Sequence, residues 1–314
     1  MRPLFLALAA VLVTAAGTVA APPPRVFPYP YEKHTLPNGL TAIFVPMQSP
    51  GVVAYYSVVR TGSRDEVEEG KSGFAHFFEH MMFQGSEHVA DEEHIRTVSE
   101  AGGDMNGTTN EDRTNYFETV PSNLLERMLW LESDRMLSLA FSKKSLDVQR
   151  KVVCEEFKEH YINKPYGDVW HIMRELAFKE HAYRWMTIGK ELSHVENAQL
   201  EDVKRFFFKH YTPSNAILVV AGNVSVEQVR ELAEKWFGDI PSGEKYKRDL
   251  PVEPEQKEER RMTVHRKVPA DAIYKTWHMC SRLDDDYYTT DLLTDILGGG
   301  ASSRLYQALV KEQQ

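Results

Sequence analysis

One segment, Phe74-Ala75-His76-Phe77-Phe78-Glu79-His80-Met81-Met82-Phe83, constrains this chain more than any other. It is almost wholly apolar, which predicts a buried helix over about 72–83, yet His76, Glu79 and His80 fall within it. Taking such groups out of water without partners costs roughly 2–7 kcal/mol each by transfer measurements. A bound cation offsets that cost. On a helix His76 and His80 stand at i and i+4, so both rings share a face and can converge on one ion. Glu79 follows His76 by three positions, close enough to reach a water on that ion. Core histidines bonded to backbone carbonyls would account for one such residue, but poorly for the triplet.

His-x-x-Glu-His is the inverted form of a zinc-hydrolase motif. A catalytic zinc needs a third protein ligand and an open position for water. The helix expected over about Lys143–His160 supplies candidates. Leu146, Val153 and Phe157 define its apolar stripe at about 100° per residue. Glu155 falls nearly opposite that stripe and should face solvent. Glu156 falls on its shoulder, on the flank of Gln149 and Val152, where a buried ion is within reach. Glu159 lies further round the same side and suits orienting a ligand from behind. The reading is one zinc ion per chain, held by His76, His80 and Glu156, with Glu79 as the base that activates its water. The other histidines, His88 and His94 among them, show no comparable pattern and are expected at the surface. A storage or structural zinc would close its fourth position with Cys or His. Cys154, about 160° round the helix from Glu156, is badly placed for that.

The rest of the 314 residues sets the frame. The length suits about two domains. A net charge of −9 disfavours a nucleic-acid reader, which would carry a basic stripe. Met1-Arg2, an apolar run from Leu4 to Ala16 and the small residues Thr18–Ala21 read as a secretory signal peptide over residues 1–20. The run is short of the ~20 apolar residues of a membrane span, and no later stretch is long and apolar enough. The mature protein is therefore expected to be exported, to periplasm or medium. Cys154 and Cys280 are too few for a disulfide framework and are expected as buried small hydrophobes.

Strand patterns fall at Leu40–Val45, Val52–Val59, Thr114–Thr119 and Ala216–Val220, and helical periods at Leu124–Leu139 and Val226–Phe237. Strands and helices without strict alternation predict an α+β fold. Residues 21–245 form the expected catalytic domain and the charged, Pro-containing stretch 246–261 an interdomain linker. Strand-like patterning restarts at Met262–Val268. Ala272–Met279 followed by a helix over Tyr287–Leu297 then echoes Val52–Val59 and its helix, without a second His-x-x-Glu-His. Residues 262–314 are thus expected to be an incomplete, non-catalytic repeat.

With His76–His80 and Glu156 in place, the chain resembles the pitrilysin/insulinase family of zinc peptidases, which includes insulin-degrading enzyme and the mitochondrial processing peptidase. Glu156 matches the family's third ligand. Gly102–Thr109 with Asp112, Thr114, Tyr116 and Pro121 resembles its glycine-rich turn and the strand beside its cleft, where Asn106 matches a position that holds the substrate backbone. Gly107 departs from the usual Ala, and Gln149 stands where a supporting Glu is common. Pro213–Asn215, Ala221–Asn223 and Leu297–Tyr306 match further landmarks.

The resemblance implies an antiparallel sheet with packed helices, used in pairs that close round a chamber. It implies hydrolysis of unfolded peptide or protein laid along a sheet edge near Asn106. The family's paired half adds an Arg and a Tyr to the cleft; Val310 stands about where that Arg would be, so a second half or partner subunit is expected for full activity. The rival is a non-catalytic core or assembly subunit of the same family that binds peptides.

Overall fold

Alternation along Val52–Val59, with Val53, Tyr55, Ser57 and Val59 buried and the residues between them more exposed, makes this segment a strand with one covered face. The computed structural model describes residues 27–313, so the expected signal peptide lies outside the described residues. From Tyr31 onward the chain is one contact unit. Its sheet has six strands: β1 (Glu32–Thr35), β2 (Thr41–Pro46), β3 (Val52–Val59), β4 (Asp104–Thr109), β5 (Thr114–Pro121) and β6 (Ala216–Gly222). They lie in the order β1-β2-β6-β3-β5-β4.

The sheet is mixed rather than wholly antiparallel. β2 and β6 run parallel, from Thr41 opposite Ile217 to Pro46 opposite Gly222, while the other neighbours are antiparallel. A parallel pair needs a long crossover, and here residues 47–215, most of the domain, provide it. Among the described residues the outer strand β4 has one edge without a strand partner.

Helices cover the face that carries Val53, Tyr55, Tyr116, Val120, Leu218 and Val220. Among the described residues the α-helices of five residues or more are α1 (Phe74–Met81), α2 (Glu93–Glu100), α3 (Leu125–Ser138), α4 (Lys143–Phe157), α5 (Val169–Ala177), α6 (Leu192–Glu196), α7 (Leu200–His210), α8 (Val226–Phe237) and α9 (Tyr287–Gly298), of which α5 and α9 bury no residue of their own. Two buried apolar clusters result. One joins the sheet to α3 and α8; the other joins α1 to α4, α6 and α7 through Phe77, Phe78, Met81, Val153 and Phe207. Burying each such side chain stabilises the fold by roughly 1.5–3 kcal/mol, which anchors α1 despite its polar residues.

The stretch after α8 departs from expectation. Met262–Val268 and Ala272–Met279 form no strand, because neither lies beside a strand that could take up its backbone groups. Ile273, Trp277 and Leu283 are 85 %, 78 % and 94 % exposed, and Leu292, Leu293, Ile296 and Leu297 of α9 are exposed as well. Residues 246–261 are fastened down. Glu253 accepts backbone N–H bonds from Lys179, Glu180 and His181, and Arg260 donates to the carbonyls of Leu176 and Ala177 at the end of α5. Neither cysteine is in a disulfide; Cys154 is buried, but Cys280 is only half-buried.

Candidate metal centre

α1 begins abruptly. Gly73 precedes it with φ +87°, and the buried carboxylate of Glu66 accepts the N–H groups of Gly73 and Ala75, each at 2.6 Å. Those donors have no partner within the helix, so Glu66 does the work of a capping side chain from outside it. The capped turn fixes the phase of the helix. Phe77, Phe78 and Met81 then enter the core, and His76, Glu79 and His80 remain half-buried on the other flank.

The two imidazoles lie 4.9 Å apart between centroids, at 74° to each other. α4 starts at Ser142, whose hydroxyl accepts the N–H of Ser145, and buries Leu146, Val153, Cys154 and Phe157. Packed against α1, it brings Glu156 Oε2 to 3.6 Å from His80 Nε2 and 3.9 Å from His76 Nε2. These separations exceed hydrogen bonds. They are near the spacing of about 3.4 Å that ligand atoms adopt round a zinc bonded at about 2.0–2.2 Å. Burial and the neighbouring His80 push the His76 imidazole down to about 3, so it stays neutral with a lone pair to offer. Two imidazoles and a carboxylate, all facing inward, fit a divalent cation.

Glu79 projects beside this trio. Burial raises its carboxyl above the usual range, against a hydrogen bond from Thr109 Oγ1 that lowers it. Asn106 is exposed on edge strand β4, where its Oδ1 accepts the N–H of Gly107 at 2.8 Å. Glu155 points to solvent and pairs with Lys158 at 2.8 Å. Glu159 is not brought to the trio. It is exposed, and among the described residues it makes no hydrogen bond or ion pair with His76, His80 or Glu156. After Phe157 the helix widens into a π-turn over Lys158–Ile162, which breaks the 100° phase that placed Glu159 on the same side.

A second buried trio carried no motif. His94 of α2, expected at the surface, is 8 % exposed. Its Nε2 lies 2.6 Å from Glu118 Oε1 of β5 and 3.8 Å from Glu132 Oε1 of α3. The guanidinium of Arg135 pairs with Glu132 and lies over the ring of Tyr116, 4.7 Å from its centroid. Two carboxylates and one guanidinium leave a single negative charge. One proton balances that charge, whereas a dication overshoots it, so this cluster suits a shared proton rather than a metal. The signal was available in the alternation of Thr114, Tyr116, Glu118 and Val120, which puts Glu118 on the covered face.

The family model described as insulinase (peptidase family M16) matches residues 52–194, a span that holds His76, Glu79, His80 and Glu156. A second, described as the peptidase M16 inactive domain, matches residues 197–314. The crystal structure of a protease from Helicobacter pylori matches with a TM-score of 0.80 at 31% identity, over 91% of this chain and 69% of that one. The chain belongs to the insulinase (M16) family. Among its relatives, the zinc protease PqqE of Helicobacter pylori is 31% identical over 292 residues, which is 90% of this chain and 64% of the relative. An uncharacterized zinc protease of Rickettsia bellii is 28% identical over 273 residues, 87% of this chain and 65% of the relative. The chain thus spans just under two thirds of the length of these two relatives. The family boundary near residue 197 does not coincide with a structural one, since β6 lies in the sheet between β2 and β3.

Proposed function

We propose that this chain is a zinc-dependent endopeptidase that cleaves unfolded peptides or proteins outside the cytoplasm. The observation that carries the reading is the convergence of His76, His80 and Glu156 with the Glu79 carboxyl beside them. His76, His80 and Glu156 would hold a zinc ion, which would supply Lewis acidity to lower the pKa of a water and polarise the scissile carbonyl. Glu79 takes the proton from the attacking water and delivers it to the leaving amine, a role that suits a carboxyl raised above its usual range. The free edge of β4 accepts substrate as an added strand, with Asn106 holding its backbone.

Export is read from the pattern of residues 1–20. Residues 262–314 are read as part of a second, blank unit that follows the 246–261 segment. The exposed Ile273, Trp277, Leu292 and Leu293 support a paired half, in this chain's own protein or in a partner subunit, that covers them. The match of residues 197–314 to an inactive-domain model keeps a second reading in view, a peptide-binding core subunit without turnover. One assay separates the two. Hydrolysis of an unfolded peptide that is abolished by chelator and restored by zinc supports the peptidase; binding of the same peptide without hydrolysis supports the subunit.

A further inference from the structure

Asp65 and Glu66 are adjacent in sequence and both are buried, in the turn that precedes the ligand helix. Glu66 holds the start of α1 through the N–H groups of Gly73 and Ala75. Asp65 is held differently. Its Oδ2 accepts the N–H of Gly62 at 3.1 Å, and its Oδ1 accepts the Arg248 Nε–H at 2.9 Å. Arg64, the other guanidinium near it, pairs with Asp112 at 3.0 Å.

Arg248 reaches Asp65 from 183 residues further along the chain, in the segment 246–261 that follows α8. Ring contacts dock the start of that segment in the same place. Tyr246 meets the buried His210 at 4.6 Å between centroids, and the Arg248 guanidinium lies 5.5 Å from the centre of the Tyr246 ring. Two carboxyls on successive residues, taken out of water, repel each other unless a counter-charge stands beside one of them. Burial raises the Asp65 carboxyl above its usual range, and Arg248 is the largest influence against that rise. Burial also raises Glu66, and the Asp65 charge adds to it.

We propose that Arg248 is a positioning residue for the metal centre: from a segment beyond α8 it pairs with Asp65, keeps Glu66 on the Gly73 and Ala75 amides, and so fixes the first turn of α1. The proposal rests on His76, His80 and Glu156 being the zinc ligands. Without Arg248 the Asp65 carboxylate keeps one backbone donor and faces Glu66 uncompensated. The turn then gives way and Glu66 moves with it, which unfastens the helix that carries His76, Glu79 and His80. The metal centre thereby depends on the seating of residues 246–261, and whatever lifts that segment off the sheet domain loosens the metal.

The test uses the complete protein with Arg248→Ala, Arg248→Lys, Asp65→Asn and the double variant of Asp65→Asn with Arg248→Ala. Hydrogen–deuterium exchange over residues 73–75 reads the start of α1 without turnover, and competition with a chelator reads the zinc dissociation constant. Arg248→Ala should speed that exchange and raise the dissociation constant by about 10-fold, the lower end of what residues behind a ligand contribute. Arg248→Lys keeps the charge and should recover most of the loss. Asp65→Asn keeps an acceptor for Gly62 and removes the charge, so adding Arg248→Ala to it should change neither readout. Arg261→Ala, which breaks an exposed pair with Glu259 in the same segment, should match the parent. Parental exchange and zinc affinity in Arg248→Ala, or an equal loss in the Asp65→Asn background, overturns the proposal. A parent that binds no zinc would instead remove the metal reading, and exchange over residues 73–75 would still decide the role of Arg248.

Discussion

Glu156 Oε2 stands 3.6 Å from His80 Nε2, farther than a hydrogen bond and close enough for the two atoms to share an ion. Neither residue gains much from the other alone, since the contact leaves a carboxylate and an imidazole half-buried at a distance where nothing bonds them. The burial makes sense once a cation joins the two helices. Without it α1 and α4 would hold polar atoms against each other at a cost.

The first prediction follows from which glutamate turns inward. Glu156→Ala should lower bound zinc from about one equivalent to near none, because a three-ligand site loses a ligand. Glu155→Ala, on the solvent side, should leave it unchanged. Metal analysis of the two purified variants decides between them, and the reverse pattern would mean that Glu155 faces the ion.

A pH dependence follows from the second buried trio. Burial pushes Glu132 up to about 7, with the Arg135 charge opposing and Glu118 adding to the rise. Its folded-state value is above its unfolded one, so its contribution is complete below about pH 4.5 and is lost as pH rises through about 7. His94, pushed down to about 4 mainly by burial, acts in the opposite sense: its contribution is complete above about pH 6.5 and is lost as pH falls toward 4. Glu132→Gln keeps the cluster neutral beside Arg135 and Glu118. The Glu132 loss lies between about pH 4.5 and about pH 7, where the His94 gain offsets most of it, so the variant's Tm should rise more steeply than the parent's between about pH 4.5 and about pH 6.5. An unchanged slope in that variant would show that the cluster holds no shared proton.

Glu66 gives a prediction about stability. Glu66→Ala strands the N–H groups of Gly73 and Ala75 at the start of the ligand helix. A buried donor left unpaired costs about 1–3 kcal/mol, so urea unfolding should show a loss of at least that size, and zinc should bind more weakly as α1 frays. Glu66→Gln, which retains an acceptor, should lose less. A parental midpoint for Glu66→Ala would mean that α1 is capped by other means.

How far the sequence could be read depended on the range of the interaction. Val226–Phe237 and Val52–Val59 were legible to the residue because their periods are local. Phase along α4 separated Glu156 from Glu155, and it failed for Glu159 where the helix widened at Lys158–Ile162. Glu66 was illegible as a cap because it acts from outside α1, across a turn. The parallel pairing of β2 with β6 depends on a crossover through most of the domain, which no local pattern reports. His94 and Glu132 look like solvated residues in sequence, since only the folded chain brings them together with Arg135. Met262–Val268 has a strand's pattern but no neighbouring strand, and pattern alone cannot supply one.

The most direct test of the account separates holding the metal from using it. Glu79→Gln and His80→Ala, purified alongside the parent, should be measured for bound zinc and for hydrolysis of an unfolded peptide by the complete protein. Glu79→Gln should keep about one zinc per chain and lose hydrolysis by at least about 100-fold, the scale of a general base, while His80→Ala should lose both. A Glu79→Gln protein that still turns over peptide near the parental rate, or a His80→Ala protein that keeps its zinc, would contradict the assignment of base and ligand made here.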